Sequence, residues 1–224
     1  METEYPGKEG VIMADMVKVE NVCKRFKGEQ VLKNVNVNFE RGKVYGIVGK
    51  NGSGKTMLFK TIIGYVRPTS GRVLVNDKEI GKDVDFAENV GIIIETPGFL
   101  SGYSAYKNLE YLASIQNRIT KQQIKEAISM VGLDAESNKK VGKFSLGMKQ
   151  RLGIAQAIME KPDLLILDEP MNGLDTNGIK IVKDLLLRLK SEGKTILLAS
   201  HYAEDMDLCD ELYSMEAGEL EKSV

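Results

Sequence analysis

The chain has 224 residues, of which 42% are apolar, enough to bury the core of one domain with or without a subdomain. Its 31 lysines and arginines nearly balance its 32 aspartates and glutamates, so no basic field indicates nucleic acid as a partner. Cys23 and Cys209 lie far apart and outside any CxxC or Cys/His cluster, which disfavours a disulfide framework or a zinc site and favours a reducing compartment. The longest apolar runs are far shorter than the ~20 residues of a membrane-spanning helix. We therefore expect any role at a membrane to depend on a partner.

The first elements in chain order are predicted to be strands of a small antiparallel layer. Residues 1–15 show no periodicity, and we expect them to form a flexible leader, with regular structure starting at Met16. Apolar and polar residues then alternate over 17–22, 35–39 and 71–80, which is typical of half-buried strands. The three segments together indicate one antiparallel layer.

Three short apolar runs without alternation are predicted to be buried parallel strands. They are residues 44–49, 164–170 and 195–201. Each run ends in polar residues that are capable of chemistry. Between the last two, apolar residues fall at helical spacing, which indicates a strand, a crossover helix and a second strand. The helical positions are Ile179, Val182, Leu186 and Leu189.

Residues 100–160 are predicted to be mostly helical. Two apolar stripes at helical spacing support this prediction, and we assign both stripes to the core. They are Leu109, Leu112 and Ala113, and then Ile124, Ala127 and Ile128. The chain is thus expected to have an α/β fold, with a mostly parallel sheet core, an antiparallel β layer and a helical subdomain at about 100–160.

The segment GKNGSGKT at residues 49–56 predicts a phosphate-binding site in a P-loop NTPase. It matches the pattern G-x-x-x-x-G-K-[ST] in the required context, after a buried strand and before an apolar-striped helix. The glycines let successive backbone N–H groups turn toward phosphate oxygens at the helix N-terminus. We expect Lys55 to reach the β and γ phosphates and Thr56 to coordinate Mg²⁺.

A pair of carboxylates at the end of the 164–170 run completes the predicted catalytic site. Asp168 is expected to hold the Mg²⁺ shell, and Glu169 to polarise the water that attacks the γ phosphate. Two adjacent carboxylates closing an apolar strand are costly without a cation. His201 is the only histidine and ends a strand predicted to lie beside the Asp168 strand, at the edge where open parallel sheets bind ligands.

A second anion-binding segment, FSLGMKQR at residues 144–151, is not explained by the P-loop. Ser145 is predicted to be the N-cap of a helix, and Gly147 leaves the backbone of the first turn bare. These features are typical of a helix that receives an anion, so the chain is predicted to carry two phosphate-contacting segments.

These motifs together resemble the nucleotide-binding subunit of an ABC transporter, over nearly the whole of residues 16–224. FSLGMKQR stands where the family has its signature L-S-G-G-Q-x-Q-R, and LLILDEP at 164–170 stands at the Walker B strand. NGLD at 172–175 matches the D-loop, His201 matches the switch histidine, and Phe26 occupies the position of the aromatic that stacks on adenine. The order and spacing of the whole set are far more specific than any single motif.

The resemblance implies an ATP hydrolase whose sites are shared between two chains. In the family, two subunits pair head to tail, and the signature helix of one closes over the γ phosphate held by the P-loop of the other. The resemblance therefore implies ATP and Mg²⁺ as cofactors, a homodimer formed through ATP, and a membrane permease as partner at the inner face of the cell membrane. The implied catalytic residues are Lys55, Glu169 and His201, and the implied metal ligands are Thr56, Glu95 and Asp168. The implied nucleotide contacts are Phe26, Gly49, Lys50, Asn51, Gly52, Ser53, Gly54, Lys55, Thr56, Met57, Glu95, Ser145, Gly147 and Asp175.

Two departures from the family pattern narrow the assignment. Leu146 and Met148 depart from the signature, whereas Ser145 and Gly147 match it. The segment GIIIETPGFL at 91–100 carries a glutamate at position 95 where the family usually has a glutamine that bridges the metal site to the membrane subunit. Together the two segments look like the bacitracin-resistance and lantibiotic-immunity branch of ABC exporters. A surface ion pair is the alternative interpretation of the glutamate.

Two other classes of protein remain to be weighed against a transporter subunit. A soluble ABC ATPase acting as a scaffold or assembly factor would carry the same motifs. A GTPase or a small-molecule kinase is disfavoured, because NKKV at 138–141 lacks the aspartate of the guanine-reading N-K-x-D and kinases have no equivalent of FSLGMKQR. The identity of the transported molecule is not predicted, since in this family the membrane subunit recognises the substrate.

Overall fold

The computed structural model describes residues 14–223. Four strands form an antiparallel sheet in the order β2-β1-β4-β5, which confirms the predicted antiparallel layer. The strands are β1 (Asp15–Phe26), β2 (Glu29–Glu40), β4 (Ser70–Val75) and β5 (Lys78–Glu79). The first strand begins one residue before the predicted start at Met16, so Asp15 is part of the sheet and not of a leader. Residues 1–13 lie outside the described residues.

The six-stranded second sheet has the order β10-β9-β3-β8-β7-β6. Its strands are β3 (Val44–Val48), β6 (Val90–Ile93), β7 (Leu164–Asp168), β8 (Thr195–Ser200), β9 (Glu211–Glu216) and β10 (Glu219–Lys222). All neighbouring pairs are parallel except β9 with β10. The three predicted parallel strands are therefore confirmed and are adjacent, with β8 between β3 and β7. The sequence reasoning missed β6, β9 and β10, which are short and have no separate sequence signal.

The large sheet is covered on both faces, and strand β7 shows how. Its residues are buried on both sides, so that Leu165 and Leu167 pack into the helical layer while Leu164 and Ile166 pack against the antiparallel sheet. Strands buried on both faces read as continuous apolar runs because neither face meets water. The absence of alternation in these runs is the reason they were recognised as central strands.

The helices are α1 (Lys55–Ile62), α2 (Ala105–Gln116), α3 (Lys121–Met130), α4 (Leu146–Ile158) and α5 (Thr176–Ser191). The second, third and fourth lie within the segment predicted to be helical. Ser104 caps α2, and Thr120 with Gln123 forms a capping box on α3, which satisfies backbone N–H groups that have no partner within the helix. None of the helices in residues 14–223 is long and apolar enough to span a membrane.

One member of the predicted core stripes is misassigned. Leu109 and Ala113 are buried, whereas Leu112 is 36% exposed. Helical spacing puts all three residues on one side of α2, but where Leu112 lies that side lines a surface groove. Leu112 is therefore at the rim of α2, facing a surface groove, and not in the core. The other stripe, Ile124, Ala127 and Ile128, is buried as predicted.

The topology brings the chemically capable residues to one edge of the sheet. The carboxyl ends of parallel strands meet at the same edge, and β3, β8 and β7 are neighbours there. The P-loop follows β3, His201 follows β8, and Asp168 ends β7. The strand, helix, strand unit β7-α5-β8 predicted from the spacing of Ile179 to Leu189 is confirmed.

Candidate active site

The P-loop joins β3 to α1 and leaves the first N–H groups of that helix without a side-chain cap. Gly54, the N-cap, has φ of 118°, a conformation that a residue with a Cβ rarely adopts. The Ser53 hydroxyl oxygen is buried and has no hydrogen-bond partner within the described residues. Such an atom is costly unless a ligand or solvent satisfies it. The free N–H groups and this hydroxyl together fit an anionic phosphate group.

Lys55 is the buried cation of this loop. It is 5% exposed, and its ammonium donates to the carbonyl oxygens of Gly49 and of Lys50, the latter at 3.2 Å. The same Nζ lies 3.8 Å from Oε1 of Glu169. The ammonium is therefore held between the predicted phosphate site and the predicted catalytic carboxylate.

Thr56 and Asp168 meet directly across the site. The Thr56 hydroxyl donates to Oδ2 of Asp168 at 2.5 Å. Burial raises the pKa of the Asp168 carboxyl above its ordinary value, the Thr56 hydrogen bond opposes that rise, and the neighbouring Glu169 charge adds to it. A hydroxyl beside a carboxylate offers the hard oxygen ligands that Mg²⁺ takes in proteins together with phosphate oxygens. These two predicted metal ligands therefore fit a magnesium ion.

Glu169 is held in an unusual backbone conformation. Its φ is 51°, in the left-handed region that non-glycine residues seldom occupy. Its N–H donates to the carbonyl of Ala199 at 2.8 Å. Oε2 lies 2.9 Å from Nδ1 of His201, whereas Oε1 is buried and has no hydrogen-bond partner in the part of the chain that is described. The carboxylate thus has one oxygen fixed by His201 and one available to a ligand.

The loop that carries His201 is fixed by Ser200, which sequence reasoning did not single out. Ser200 is fully buried, and its hydroxyl donates to Oδ2 of Asp205 at 2.6 Å and accepts from the N–H of Tyr202 at 3.0 Å. A short polar residue at the end of an apolar strand, TILLAS, is the sequence signal that could have identified it. These bonds set the direction of the chain on either side of His201.

The signature segment lies against the D-loop of the same chain. Ser145 is the N-cap of α4 and accepts from the N–H of Met148 at 3.2 Å, as predicted. A Cβ at Gly147 would lie 2.8 Å from the carbonyl oxygen of Gly173, so no larger residue fits there. Asp175 caps α5 by accepting from the N–H of Gly178 at 2.7 Å. The observed role of Asp175 is therefore that of a helix cap.

The remaining predicted contacts lie around this centre. Phe26 ends β1 with its ring 55% exposed, and the Lys27 ammonium lies 5.7 Å from the ring centroid. Met57 packs partly into the core, so only its backbone is suited to a phosphate. Glu95 forms an ion pair with Lys60 of α1 and its side chain is 65% exposed. This is the ion pair named above as the alternative interpretation of the glutamate.

The structure thus brings together some of the predicted site residues and keeps others apart. Lys55, Thr56, Asp168, Glu169 and His201 form one group connected by the contacts described above. Phe26, Ser145 and Gly147 make no hydrogen bond to that group within residues 14–223. Sequence reasoning did not single out Gln150, which lies in FSLGMKQR and donates to the carbonyl of Glu169.

Comparison with known proteins decides the family. The family model described as ABC transporter matches residues 32–172. The chain belongs to the ABC transporter family. An uncharacterized ABC transporter ATP-binding protein of Bacillus subtilis (strain 168), YybJ, is 46% identical over 209 residues, covering 93% of this chain and 96% of that protein. The bacitracin transport ATP-binding protein BcrA of Enterococcus faecalis is 39% identical over 217 residues, covering 96% of this chain and 70% of its own length.

A solved structure has the same fold and catalytic class. The dimeric structure of a post-hydrolysis state of the ATP-binding cassette MJ0796, bound to ADP and Pi, superposes with a TM-score of 0.83 at 26% identity. The match covers 92% of this chain and 98% of the other. The predicted family, the α/β fold of ABC type and the predicted enzyme class are confirmed. The chain is an ABC-type ATPase and binds ATP.

Replacing Asp168 with asparagine should separate stability from activity. Because burial raises the pKa of Asp168, its charge destabilises the folded chain, and this penalty grows as pH rises from near the ordinary value of 3.8 through the raised pKa. Asparagine removes the charge and keeps an acceptor for Thr56. We expect the nucleotide-free Asp168→Asn variant to melt at a higher temperature than wild type at neutral pH. We also expect it to turn over ATP about tenfold more slowly or worse, since one charge-assisted contact is worth about 1.5–3 kcal/mol.

Thermal denaturation without nucleotide and steady-state ATPase assays measure the two effects. Asp77→Asn is the matched control, because Asp77 is exposed and forms an ion pair with Lys18. An Asp168→Asn variant that melts lower than wild type would contradict the assigned electrostatic penalty, and full turnover would remove Asp168 from the site.

Proposed function

We propose that this ATPase powers a separate membrane permease, and that the transporter exports a peptide antibiotic or a similar compound. The observation that carries the hydrolytic part is the group in which Lys55 and His201 flank Glu169 beside the Thr56–Asp168 pair. The export part is supported by the likeness to a bacitracin transport ATP-binding protein. In this proposal the chain is peripheral, at the cytoplasmic face of the membrane.

The P-loop of residues 49–56 would bind the triphosphate of ATP. Its N–H groups and the Ser53 hydroxyl would contact phosphate oxygens, and Lys55 would move its donors from loop carbonyls to the β and γ phosphates. Lys50, Asn51, Gly52 and Met57 would contribute backbone groups. Phe26 offers an exposed aromatic face for the adenine, since stacking needs a ring that is not already covered. When bound, Mg²⁺ supplies positive charge beside the phosphates, and Thr56 and Asp168 would hold it.

Glu169 would orient and polarise the attacking water. Its Oε1 is buried and has no hydrogen-bond partner among residues 14–223, with the Lys55 ammonium 3.8 Å away, so a water bonded there would satisfy an atom that is otherwise costly to bury. His201 holds the other oxygen at 2.9 Å, which prevents the carboxylate from turning away. Positioning and electrostatics of this kind supply nearly all the catalysis in phosphoryl transfer.

The signature helix would serve the nucleotide of a second copy of the chain. Ser145 is exposed at the first turn of α4, and its hydroxyl accepts a bond from Met148 while its own hydrogen remains available to a phosphate. Gly147 leaves the backbone accessible, and Asp175 holds the adjoining D-loop by capping α5. ATP would then join two identical chains, with each active site built from both.

Glu95 would act where ATP binding meets the permease. A carboxylate offers a hard oxygen charge to a metal where an amide offers only a dipole. Its partner, Lys60, lies on α1 directly after the P-loop, so a change at the phosphates can reach Glu95 through that helix. In this proposal Glu95 is a metal ligand and couples ATP binding to the permease. It would take this role when its ion pair with Lys60 opens.

A surface groove lined by both apolar and polar residues is suited to the permease. Phe86, Leu112 and Ile115 line it and are 56%, 36% and 78% exposed. The charged residues Glu88 and Arg118 also line it. Apolar patches rimmed by polar residues are typical of interaction sites, and an amphipathic helix of a membrane protein is the occupant that fits both features.

Two substitutions in the site test the hydrolytic proposal. Lys55→Ala should lower ATP turnover about tenfold or more, because the lost charge-assisted contact is worth about 1.5–3 kcal/mol. Glu169→Gln should keep ATP binding and the ATP-induced dimer while hydrolysis stops. Turnover assays and size-exclusion chromatography with ATP measure both. Lys82→Ala, at an exposed ion pair, should match wild type. If Glu169→Gln hydrolyses ATP at the original rate, the catalytic base lies elsewhere.

Complementation tests whether the active site is shared between two chains. A Lys55→Ala chain and a Ser145→Arg chain should each be inactive as homodimers. In the mixed dimer one site combines both lesions, while the other pairs an intact P-loop with an intact signature. We expect that site to restore ATP-driven dimerisation and part of the hydrolysis. Mixed dimers that form but recover neither property would indicate that each chain uses its own signature.

A charge introduced into the groove tests whether the groove binds the permease. The chain, tagged and expressed in its own cells, should co-purify with a polytopic membrane protein. Ile115→Glu should abolish that co-purification. It should leave ATP turnover of the isolated chain unchanged, because no residue that lines the groove belongs to the proposed catalytic group. Leu187→Glu, at an equally apolar exposed site on α5, is the control. An Ile115→Glu chain that still co-purifies would remove this groove as the docking surface, and no membrane protein with wild type would favour a scaffold or assembly factor.

Glu95 is compared in the same experiment. Glu95→Gln and Glu95→Ala should both retain the membrane protein, and the alanine variant should reduce the stimulation of ATP turnover by the permease more than it weakens ATP binding. Normal stimulation in both variants would leave Glu95 with only its ion pair to Lys60.

A further inference from the structure

A buried side chain of the signature helix contacts the backbone of Glu169. Gln150 lies on α4 and is 8% exposed. Its Nε2 donates to the carbonyl oxygen of Glu169 at 3.1 Å. The contact joins the helix that begins at Ser145 to the end of strand β7. It is therefore a direct bond between the segments FSLGMKQR and LLILDEP.

The backbone of Glu169 requires such support. A non-glycine residue in the left-handed region is strained and persists only where its surroundings fix it. Three hydrogen bonds do so here. The N–H of Glu169 donates to Ala199 at 2.8 Å, and its carbonyl accepts from the N–H of Asn172 at 3.1 Å as well as from Gln150. Among these bonds, the one from Gln150 comes from a side chain and can be removed without altering the main chain.

The burial of the Gln150 amide also needs an explanation. Ile154, one turn further along the same face of α4, is fully buried and apolar. A primary amide in such surroundings is costly unless its hydrogen bonds are made. A methionine of similar length would fill the same space without that cost. The amide is therefore placed for the bond to Glu169 and not for packing.

We propose that Gln150 is a positioning residue for ATP hydrolysis. Its amide fixes the backbone of Glu169, and so it links the carboxylate of one active site to the helix whose first turn faces the nucleotide of the other. Ser145 and Gln150 are separated by roughly 7.5 Å along the helix axis, at 1.5 Å per residue. The rigid helix thereby couples a contact between Ser145 and the partner's phosphate to the position of the Glu169 carbonyl. The proposal rests on the proposed roles of Glu169 and Ser145.

Two variants of Gln150 test the proposal in the full chain. Gln150→Met keeps the length and removes the donor, and Gln150→Asn keeps an amide that is one methylene too short to reach the carbonyl. We expect both to lower kcat about tenfold, because a small misplacement of a catalytic group costs about that much or more. KM for ATP and the fraction of chains in the ATP-induced dimer should stay within about twofold of wild type, since an interaction needed only for turnover changes kcat alone.

Turnover is expressed per dimer formed, so that misfolded chains do not lower the apparent kcat. Gln156→Met, on the same helix and only partly buried, is the matched control and should behave as wild type. Glu169→Gln is measured alongside. If Glu169→Gln keeps its turnover, the proposed role of Glu169 fails first. If Glu169→Gln is inactive while both Gln150 variants keep kcat within about twofold, the positioning role is overturned. Loss of dimer formation in both Gln150 variants, or a failure of both to fold, would make Gln150 a structural residue and would equally overturn it.

Discussion

The last carbonyl groups of strand β8 hold both halves of the active site. The N–H of Gly49, at the start of the P-loop, donates to the carbonyl of Ser200 at 3.2 Å, and the N–H of Glu169 donates to that of Ala199 at 2.8 Å. The parallel register on either side, with Val48 opposite Ser200 and Asp168 opposite Ala199, places the phosphate loop and the carboxylates at one height. A slip of one residue in either pairing would reverse the direction of every side chain. The geometry of the site therefore depends on the register of this central strand.

The site concentrates groups that are unfavourable for folding. It buries the Lys55 ammonium, raises the pKa of Asp168 by burial and strains the backbone of Glu169. Within the part of the chain that is described, it also leaves the buried Ser53 hydroxyl without a hydrogen-bond partner. Buried charges and unsatisfied polar atoms each lower stability. In the proposed function, a nucleotide with its metal would supply the partners that these groups lack. The apolar layers on both faces of β7 provide the burial that keeps the strand in place without the ligand.

The bond from Gln150 to Glu169 gives the signature helix a second role. Ser145, at its first turn, is exposed and free to meet another chain, whereas Gln150 is buried in its own chain. If two chains share their active sites as proposed, the same helix would reach the surface of one site and the interior of the other. Gly147 and Gly173 let the D-loop pack directly against this helix. The signature helix therefore contacts both the D-loop and, through Gln150, the backbone of Glu169.

The sequence by itself determined the family and the type of each central element, and it predicted which residues form the site. Lys55, Thr56, Asp168 and Glu169 were identified from local pattern because a phosphate loop and a strand-end carboxylate need particular residues at fixed spacing. The strands β3, β7 and β8 were identified because burial on both faces removes alternation. The edge strands β6, β9 and β10 and the exposure of Leu112 were not, because short strands and helix rims take their state from neighbours far away in the chain. Only the tertiary structure brought Gln150 to the carbonyl of Glu169, since that contact depends on how α4 packs against the end of β7, and no pattern within either segment contains that information.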